Sequence, residues 1–360
     1  MMKKKVIIFL FSILFTAGLF SAGFLIFSQS NKKNEQKPEK KELNIYNWEN
    51  YFAPETLSDF EKETGTKVNL STFEDEEIML SDVQSDPSMY DLIVASDEVF
   101  WRMNELKLLA NVDKNNIPNL SNLHQKLFDK STDAQHNFSI PYTWGTTGII
   151  YNANFIKDNI KDWGDLWNPN YKGKIAMINN KFTIIACTLK YLGYHVASAN
   201  ESELTMAGNK LMEQKPLVYG YLDPMTIIEK IKNGDVWIGQ LYNGDALMAI
   251  EENPDSNLKF ILPESGSDFY IDAFAIPRDA KNKEVAEEFL DYILRPDVHS
   301  KIINYVRYAS PLKKELIENK VDKVLLEDPL TYPSDEKVEG YGETSKGNNI
   351  RNKIWSELNK

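Results

Sequence analysis

The sequence predicts an α/β protein whose two lobes share a pair of crossover strands. The chain has 360 residues, which exceeds the about 100 to 200 residues of one ordinary core. An alternation of strands and helices begins near Leu43, and a second one begins after Trp163. Two further strand-like segments, near Gly148 and near Asp272, connect these regions. A hinged binding protein and a two-domain enzyme both have this organisation.

The first region has the order β-α-β-α-β. The predicted strands are 44–46, 67–72 and 92–95, and the predicted helices are 54–63 and 76–83. Pro54 lies at the start of the first helix, and Gly65 ends it. The unbroken apolar run 92–95 is typical of a strand buried on both faces of a parallel sheet. Ligands bind at the carboxyl ends of such strands, so the loops 47–51 and 96–98 are candidate ligand loops.

The second region repeats the alternation and ends in an amphipathic helix. Its predicted strands are 174–178, 217–221 and 236–241, and its predicted helices are 182–192, 225–232 and one from about 245. A strand over 268–277 and a helix over 283–294 follow. In that helix Val285, Phe289 and Ile293 recur at a spacing of four, which indicates one buried face.

The amino terminus carries a long apolar segment. Lysines at 3–5 precede an uncharged run over 6–27. As a helix, this run is ~33 Å long at about 1.5 Å per residue, enough to cross a hydrocarbon core of about 30 Å. We therefore predict a retained membrane anchor over 1–30, with cleavage of a signal peptide after the small residues Ser21 and Gly23 as the alternative.

Charge decides the side of the membrane and the class of partner. Positive residues before the apolar run place the rest of the chain outside, at the outer face of the cytoplasmic membrane or in the periplasm. The polar stretch 31–42 is then a linker. The chain carries 41 Lys and Arg against 53 Asp and Glu, a net charge of −12, which argues against nucleic-acid binding. An acidic balance with 12% aromatic residues suits a cationic small molecule.

An enzyme needs a constellation of reactive side chains, and the sequence offers none. The histidines are scattered, without metal-ligand spacing, at His124, His136, His195 and His299. The single cysteine, Cys187, lies in an apolar segment and allows no internal disulfide. No nucleophile elbow, phosphate loop or HExxH motif occurs. We therefore predict no catalytic residue, no metal site and no cofactor.

The stretch "LNIYNWENYFAPETLSDFEKETGTKVNLSTFEDEEIM" resembles the opening of the bacterial polyamine-binding proteins, the spermidine/putrescine receptors of ATP-driven uptake systems. The likeness continues in order through "YDLIVAS", "SIPYTWGTTGIIYN", "WGDLWNPNYKGKIAM", "YNGDALMA", "IDAFAIPRDAKNKEVAEEFLDYILRPDV" and "VRYASPL". Several blocks in register are far more specific than one short motif.

The resemblance implies a two-lobe periplasmic-binding-protein fold of type II, with the ligand clamped in a cleft between the lobes. Lobe 1 is expected to comprise 43–146 and 272–312, and lobe 2 to comprise 147–271 and 313–360. The implied partners are a polyamine, an ABC permease and its ATPase, and we expect a monomer.

The resemblance also implies ligand-binding residues. Matching positions are Trp48, Tyr51, Ser96, Tyr242, Asp245, Tyr270, Asp272 and Tyr308, and Glu49 is included as a neighbouring carboxylate. Carboxylates suit the ammonium groups of a polyamine, and aromatic faces suit its methylenes. Structural alternatives are loop packing for the first two aromatic residues and helix capping for Ser96 and Asp245. Tyr270 and Asp272 are two residues apart on one strand and should share a face.

Several carboxylates of the family are missing. Asn50 replaces an acidic residue, and Asn180 and Thr183 stand where relatives carry an Asp and a Glu. Asp97 and Glu98 replace neutral residues and either compensate or are solvated. Fewer carboxylates favour a short diamine such as putrescine over spermidine. The remaining alternatives are another amine or amino acid as ligand, and a tethered sensor without a transport role.

Overall fold

A computed structural model describes residues 41–341 and 347–360. Lys41–Lys360 form one compact unit. The predicted anchor or signal over 1–30, and nearly all of the predicted linker, lie outside the described residues. Within the described ranges, no helix is both long and apolar enough to cross a membrane.

The described residues form ten strands and twelve α-helices. The strands are β1 (Glu42–Trp48), β2 (Lys67–Phe73), β3 (Leu92–Ser96), β4 (Ser139–Asn152), β5 (Ile175–Ile178), β6 (Val218–Leu222), β7 (Ile238–Tyr242), β8 (Leu258–Ile261), β9 (Ser267–Ala275) and β10 (Val338–Gly340). The helices are α1 (Thr56–Thr64), α2 (Glu76–Ser85), α3 (Asp97–Glu105), α4 (Lys181–Tyr191), α5 (Glu201–Gln214), α6 (Pro224–Asn233), α7 (Asn243–Glu252), α8 (Lys283–Ile293), α9 (Pro296–Val306), α10 (Lys314–Ile317), α11 (Lys323–Glu327) and α12 (Asn348–Leu358). Short 3-10 helices occupy Lys114–Asn116, Pro118–Asn122, Gln125–Lys130, Trp163–Trp167, Pro169–Tyr171, Pro254–Ser256 and Asp335–Lys337.

The strands form one continuous sheet in the order β2-β1-β3-β9-β4-β7-β5-β6, with β10 beside β9 and β8 beside β4. β1 pairs in parallel with β2 and β3, and β5 pairs in parallel with β6 and β7. β4 runs antiparallel to β9 up to Thr146 and antiparallel to β7 from Thr147 onward. This long strand therefore connects two parallel groups of strands.

The predicted mixed α/β pattern is confirmed, and two details differ. β9 runs antiparallel to β3 and β4 and parallel to β10, so the sheet has mixed strand directions. Helix α3 begins directly after β3, so residues 96–98, predicted as a loop, are a helix cap and first turn. Gly65 ends α1 in the left-handed conformation at φ 73°, as its place after the helix predicts.

Three hydrophobic clusters form the core of the described residues. The largest lies around β1, β3 and β9 and includes Phe60, Phe274 and Phe289. Two smaller clusters pack around β5 and β7, on residues such as Ile185 and Ile227. Parts of the segment predicted for lobe 2, namely Ile317, Leu325 and Val338, pack in the largest cluster, whereas Ile354 and Leu358 pack in the second. The predicted lobe boundaries stay predictions.

A buried carboxylate holds β4 against β9 where β4 changes its partner. Asp268 Oδ1 accepts from the backbone N–H of Thr147 at 3.0 Å. Its Oδ2 accepts from the Thr147 hydroxyl at 3.0 Å and from the Tyr341 hydroxyl at 2.6 Å. Charged acceptors make hydrogen bonds about twice as strong as neutral ones. The network therefore fixes the strand and ties the carboxyl-terminal segment to it.

We expect Tyr341→Phe to lower the free energy of unfolding by about 1 to 2 kcal/mol, because it removes one donor from a buried carboxylate. Urea unfolding of the full chain measures the change. Tyr305→Phe is the matched control, since Tyr305 is 38% exposed and its hydroxyl makes no side-chain bond among the described residues. Equal unfolding curves for Tyr341→Phe and the wild type would show that the network does not depend on this hydroxyl.

Candidate ligand site

Asp272 of β9 lies at the centre of the candidate site. The Tyr51 hydroxyl donates to Asp272 Oδ2 at 2.5 Å and lies 2.7 Å from the Thr143 hydroxyl. Tyr51 follows β1, and its own carbonyl accepts from the buried Tyr142 hydroxyl at 2.5 Å. Two residues of β4, Tyr142 and Thr143, therefore hold Tyr51 of the first candidate loop in place beside the Asp272 carboxylate.

Three more tyrosine rings extend this arrangement. Tyr308 packs edge-to-face on Tyr51 with ring centroids 5.8 Å apart, and Tyr242 packs edge-to-face on Tyr270 at 5.2 Å. Tyr270 shares a strand with Asp272 at a spacing of two, so both side chains lie on one face. The structure therefore brings together Tyr51, Tyr242, Tyr270, Asp272 and Tyr308, five of the residues that the resemblance implies as ligand-binding.

Two glycines make room for these rings. A Cβ on Gly145 would lie 2.5 Å from the Tyr270 hydroxyl and 2.7 Å from Asn243 Oδ1. A Cβ on Gly244 would lie within 2.7 Å of several Tyr308 ring atoms. Real Cβ atoms do not approach so closely, so both positions need glycine for the tyrosines to reach the site.

Asp245 provides a second carboxylate. It lies in the first turn of α7, where the partial positive charge of a helix amino terminus favours an anion. Burial raises the pKa of Asp245 to about 6, and a hydrogen bond from Tyr308 offsets part of that rise. The residue that caps the helix is Tyr242, not Asp245, and no side-chain capping bond is formed. The capping alternative for Asp245 therefore finds no support.

The electrostatics of Asp272 are those of a charge without a counterion. Burial raises its pKa to about 7, the Tyr51 hydrogen bond lowers it, and the carboxylates Glu76, Asp97 and Asp245 raise it further. Among the described residues no ion pair reaches Asp272 or Asp245. A cation entering this site would relieve the repulsion among these carboxylates.

Ser96 connects Asp272 to a carboxylate that the sequence reasoning missed. Ser96 lies opposite Asp272 in the β3–β9 ladder. Its backbone N–H donates to Glu76 Oε1 at 2.7 Å, and its hydroxyl donates to Glu76 Oε2 at 3.2 Å. Ser96 stands at the cap position of α3, but its side chain makes no capping bond. Its hydroxyl oxygen keeps lone pairs with which to accept from an amine.

The order of the strands predicts that Glu76 lies near the site. Glu76 is the first residue of α2, just beyond the carboxyl end of β2. β2 lies beside β1, so its carboxyl end meets the same sheet edge as the two candidate loops. Glu98 and Asp97 are buried, at 4% and 6% exposure, so neither is solvated.

Some predicted residues lie apart from this cluster. The ring of Trp48 packs on Phe73 at a centroid distance of 4.4 Å, and Glu49 is exposed. In the described part of the chain, no ring contact or side-chain hydrogen bond joins either residue to the tyrosines around Asp272. Asn180 caps α4 by accepting from two backbone N–H groups. The Thr183 hydroxyl lies 3.4 Å from that of Tyr242, which places Thr183 beside the site.

Comparison with known proteins identifies the family. Residues 55–324 match the family model described as bacterial extracellular solute-binding protein. The chain belongs to this family. A spermidine/putrescine-binding periplasmic protein of Escherichia coli is 31% identical over 84% of this chain and 88% of its own length. A putrescine/agmatine-binding protein of Pseudomonas aeruginosa is 26% identical over 99% of both chains.

Solved structures give the same result for the fold of this solute-binding protein. The substrate-binding protein of a spermidine/putrescine ABC transporter from Streptococcus pneumoniae superposes with a TM-score of 0.76 at 27% identity. That comparison covers 89% of this chain and 99% of the other. The resemblance to the polyamine-binding proteins and the periplasmic-binding-protein fold are thereby confirmed.

Proposed function

We propose that this solute-binding protein captures a polyamine outside the cytoplasmic membrane and delivers it to an ABC permease. The carrying observation is Asp272, a carboxylate surrounded by tyrosines, close to further carboxylates, and not ion-paired to any described cation. The names of the relatives from Escherichia coli and Pseudomonas aeruginosa support the same class of ligand.

The chemistry of the site suits an aliphatic diammonium ion. Asp272 binds one ammonium group, and Asp245 binds another across the Tyr308 ring. The faces of Tyr51, Tyr242 and Tyr270 cover the methylene chain, and they attract the charged ends through the ring quadrupole. Removing the methylenes from water contributes about 25 cal/mol per Å² of buried apolar surface.

The more peripheral residues have lesser roles. Ser96 accepts a hydrogen bond from an amine, and Trp48 forms the outer aromatic wall beside the first candidate loop. Glu49, which is exposed, attracts the ligand over distance rather than by contact. We propose no catalytic step.

For the location and oligomeric state of the protein, we propose what the sequence leads us to expect. We propose that the apolar segment over 1–30 holds the exported protein at the outer face of the membrane, and that the protein works as a monomer. Capture of the ligand then requires closure around the crossover strands β4 and β9, and the closed form docks on the permease.

Calorimetric titration of the purified full chain tests this function. Putrescine, cadaverine, agmatine and spermidine are titrated beside n-butylamine, which has a single ammonium group. We expect the polycations to bind at least about tenfold more tightly than n-butylamine, since each carries a second charge-assisted contact. Absence of polyamine binding would refute the proposal. The panel also tests the expectation of a short diamine made from the sequence alone, which tighter binding of spermidine would contradict.

A further inference from the structure

Glu76 and Glu98 are two carboxylates beside the proposed ligand site. The contacts within the fold do not neutralise both of their charges. Glu76 begins α2, and Glu98 lies in the first turn of α3. Glu76 reaches the site through Ser96, which faces Asp272 across the β3–β9 ladder. Directly opposite residues in a sheet have Cα atoms about 4.5 to 5.5 Å apart, so Ser96 and the Glu76 carboxylate that it contacts lie near the ammonium site. Glu98 follows Ser96 by two residues and is a charged neighbour of Glu76.

The cations nearby are already bonded elsewhere. Arg102 donates to both oxygens of Glu77, at 2.7 and 3.0 Å, and Lys181 donates to Glu77 Oε1 at 3.0 Å. These bonds, with burial opposing them, lower the pKa of Glu77 to about 2. Glu77 is therefore the carboxylate that these two cations neutralise, and neither forms an ion pair with Glu76 or Glu98.

Glu98 is the least satisfied carboxylate of the group. It is 4% exposed, and among the described residues no donor reaches its Oε1. Its charged and titratable neighbours are Glu76, Asp97, Arg102, Lys181, Tyr341 and Arg351. Burial and the charge of Glu76 raise its pKa well above the usual range. A buried carboxylate with an oxygen lacking a partner is costly, which indicates that a donor is supplied from outside the protein.

The Tyr270 hydroxyl is a further buried polar group at the site. It interacts with the Tyr308 hydroxyl, and the described residues leave its other hydrogen-bonding capacity unused. Tyr270 shares its strand face with Asp272, so its hydroxyl faces the ligand region. An amine at this site would add donors to Asp272, which accepts only from Tyr51 among the described residues, and to the Glu98 oxygen that has no partner.

We propose that Glu76 and Glu98 form an additional ammonium-binding subsite, which holds a third protonated amine beyond those at Asp272 and Asp245. The inference rests on the proposed function, because it extends the same ligand by one cationic group. The ligand class it adds is a linear triamine such as spermidine.

Glu98→Gln and Glu76→Gln test the subsite, with spermidine and putrescine as the probes in calorimetric titrations of the full chain. Each substitution preserves size, and Gln at position 76 keeps an oxygen acceptor for the Ser96 N–H. We expect each variant to lose about tenfold or more in spermidine affinity and less than about threefold in putrescine affinity. Glu105→Gln on α3 and Glu74→Gln before α2 are exposed controls with the same change of charge, and should leave both affinities unchanged.

The outcomes separate this inference from the proposed function. Unchanged spermidine affinity in both Gln variants, or equal losses for the two amines, would overturn the subsite and leave the polyamine function standing. A wild type that binds putrescine but not spermidine would also overturn it. A wild type that binds neither amine would overturn the proposed function itself. Urea unfolding of each variant identifies a purely structural role. Such a role would change the midpoint of unfolding but not the ratio of the spermidine and putrescine affinities.

Discussion

Asp272→Asn is expected to weaken putrescine binding by about 100-fold or more, since removing one partner of a buried charge pair typically costs about 3 to 5 kcal/mol. Asn keeps the size of the side chain and an oxygen that accepts from the Tyr51 hydroxyl, so the loss is one of charge. Calorimetric titration of the full chain with putrescine measures the change.

Asp255→Asn is the matched control for this loss. Asp255 is exposed and lies in the 3-10 helix Pro254–Ser256, so the substitution changes the net charge equally without touching the site. We expect its affinity to stay within about twofold of the wild type, because exposed charges are screened by salt. If Asp272→Asn also stays within that range, Asp272 does not hold the ammonium group.

Asp272→Asn should be more stable than the wild type in the absence of ligand. Burial raises the pKa of Asp272 to about 7, so the folded state binds its proton more tightly than the unfolded state does. That preference stabilises the fold below the unfolded pKa near 4 and is lost as the pH rises through about 7. Because Asp272 is partly exposed, we expect a gain of roughly 1 to 2 kcal/mol at about pH 8 and little at about pH 4. Urea unfolding at both pH values measures it.

Part of this site follows from simple rules of sequence. The two-residue period of a strand places Tyr270 and Asp272 on one face, and the carboxyl ends of β1 and β3 mark the loops that hold Tyr51 and Ser96. The buried run of β3 and the stop at Gly65 also follow from composition. These features depend on local periodicity, which a single sequence contains.

The remaining features depend on contacts between distant segments. Glu76 and Glu98 lie in the first turns of helices, where an acidic residue is usually solvated, and the sequence alone does not reveal that Glu76 is partly and Glu98 fully buried. Their burial comes from the order of the strands, which places β2 and β3 on either side of β1. The antiparallel course of β9 is equally non-local. The prediction of fewer carboxylates, which the resemblance implies at Asn180 and Thr183, therefore takes no account of Glu76.

Acidification should weaken polyamine binding strongly. The ligand pairs with carboxylates in their charged form, whereas burial raises the pKa of Asp272 to about 7 and that of Asp245 to about 6. Below those values the ammonium ion must displace a proton from each group, and its own charge does not change, since amines titrate near pH 10. Between about pH 8 and about pH 5 we expect a loss of about 100-fold from Asp272 alone, and more if Asp245 contributes.

Calorimetric titration with putrescine at a series of pH values, at constant ionic strength, measures this dependence. The empty site must release protons when the ligand binds near neutral pH, so the observed heat should vary with the ionisation enthalpy of the buffer. Asp272→Asn should flatten the pH profile above about pH 6, because the group that titrates near pH 7 is gone. An affinity constant within about threefold across this range would show that these carboxylates are already charged in the empty protein, and that repulsion within the cluster does not govern binding.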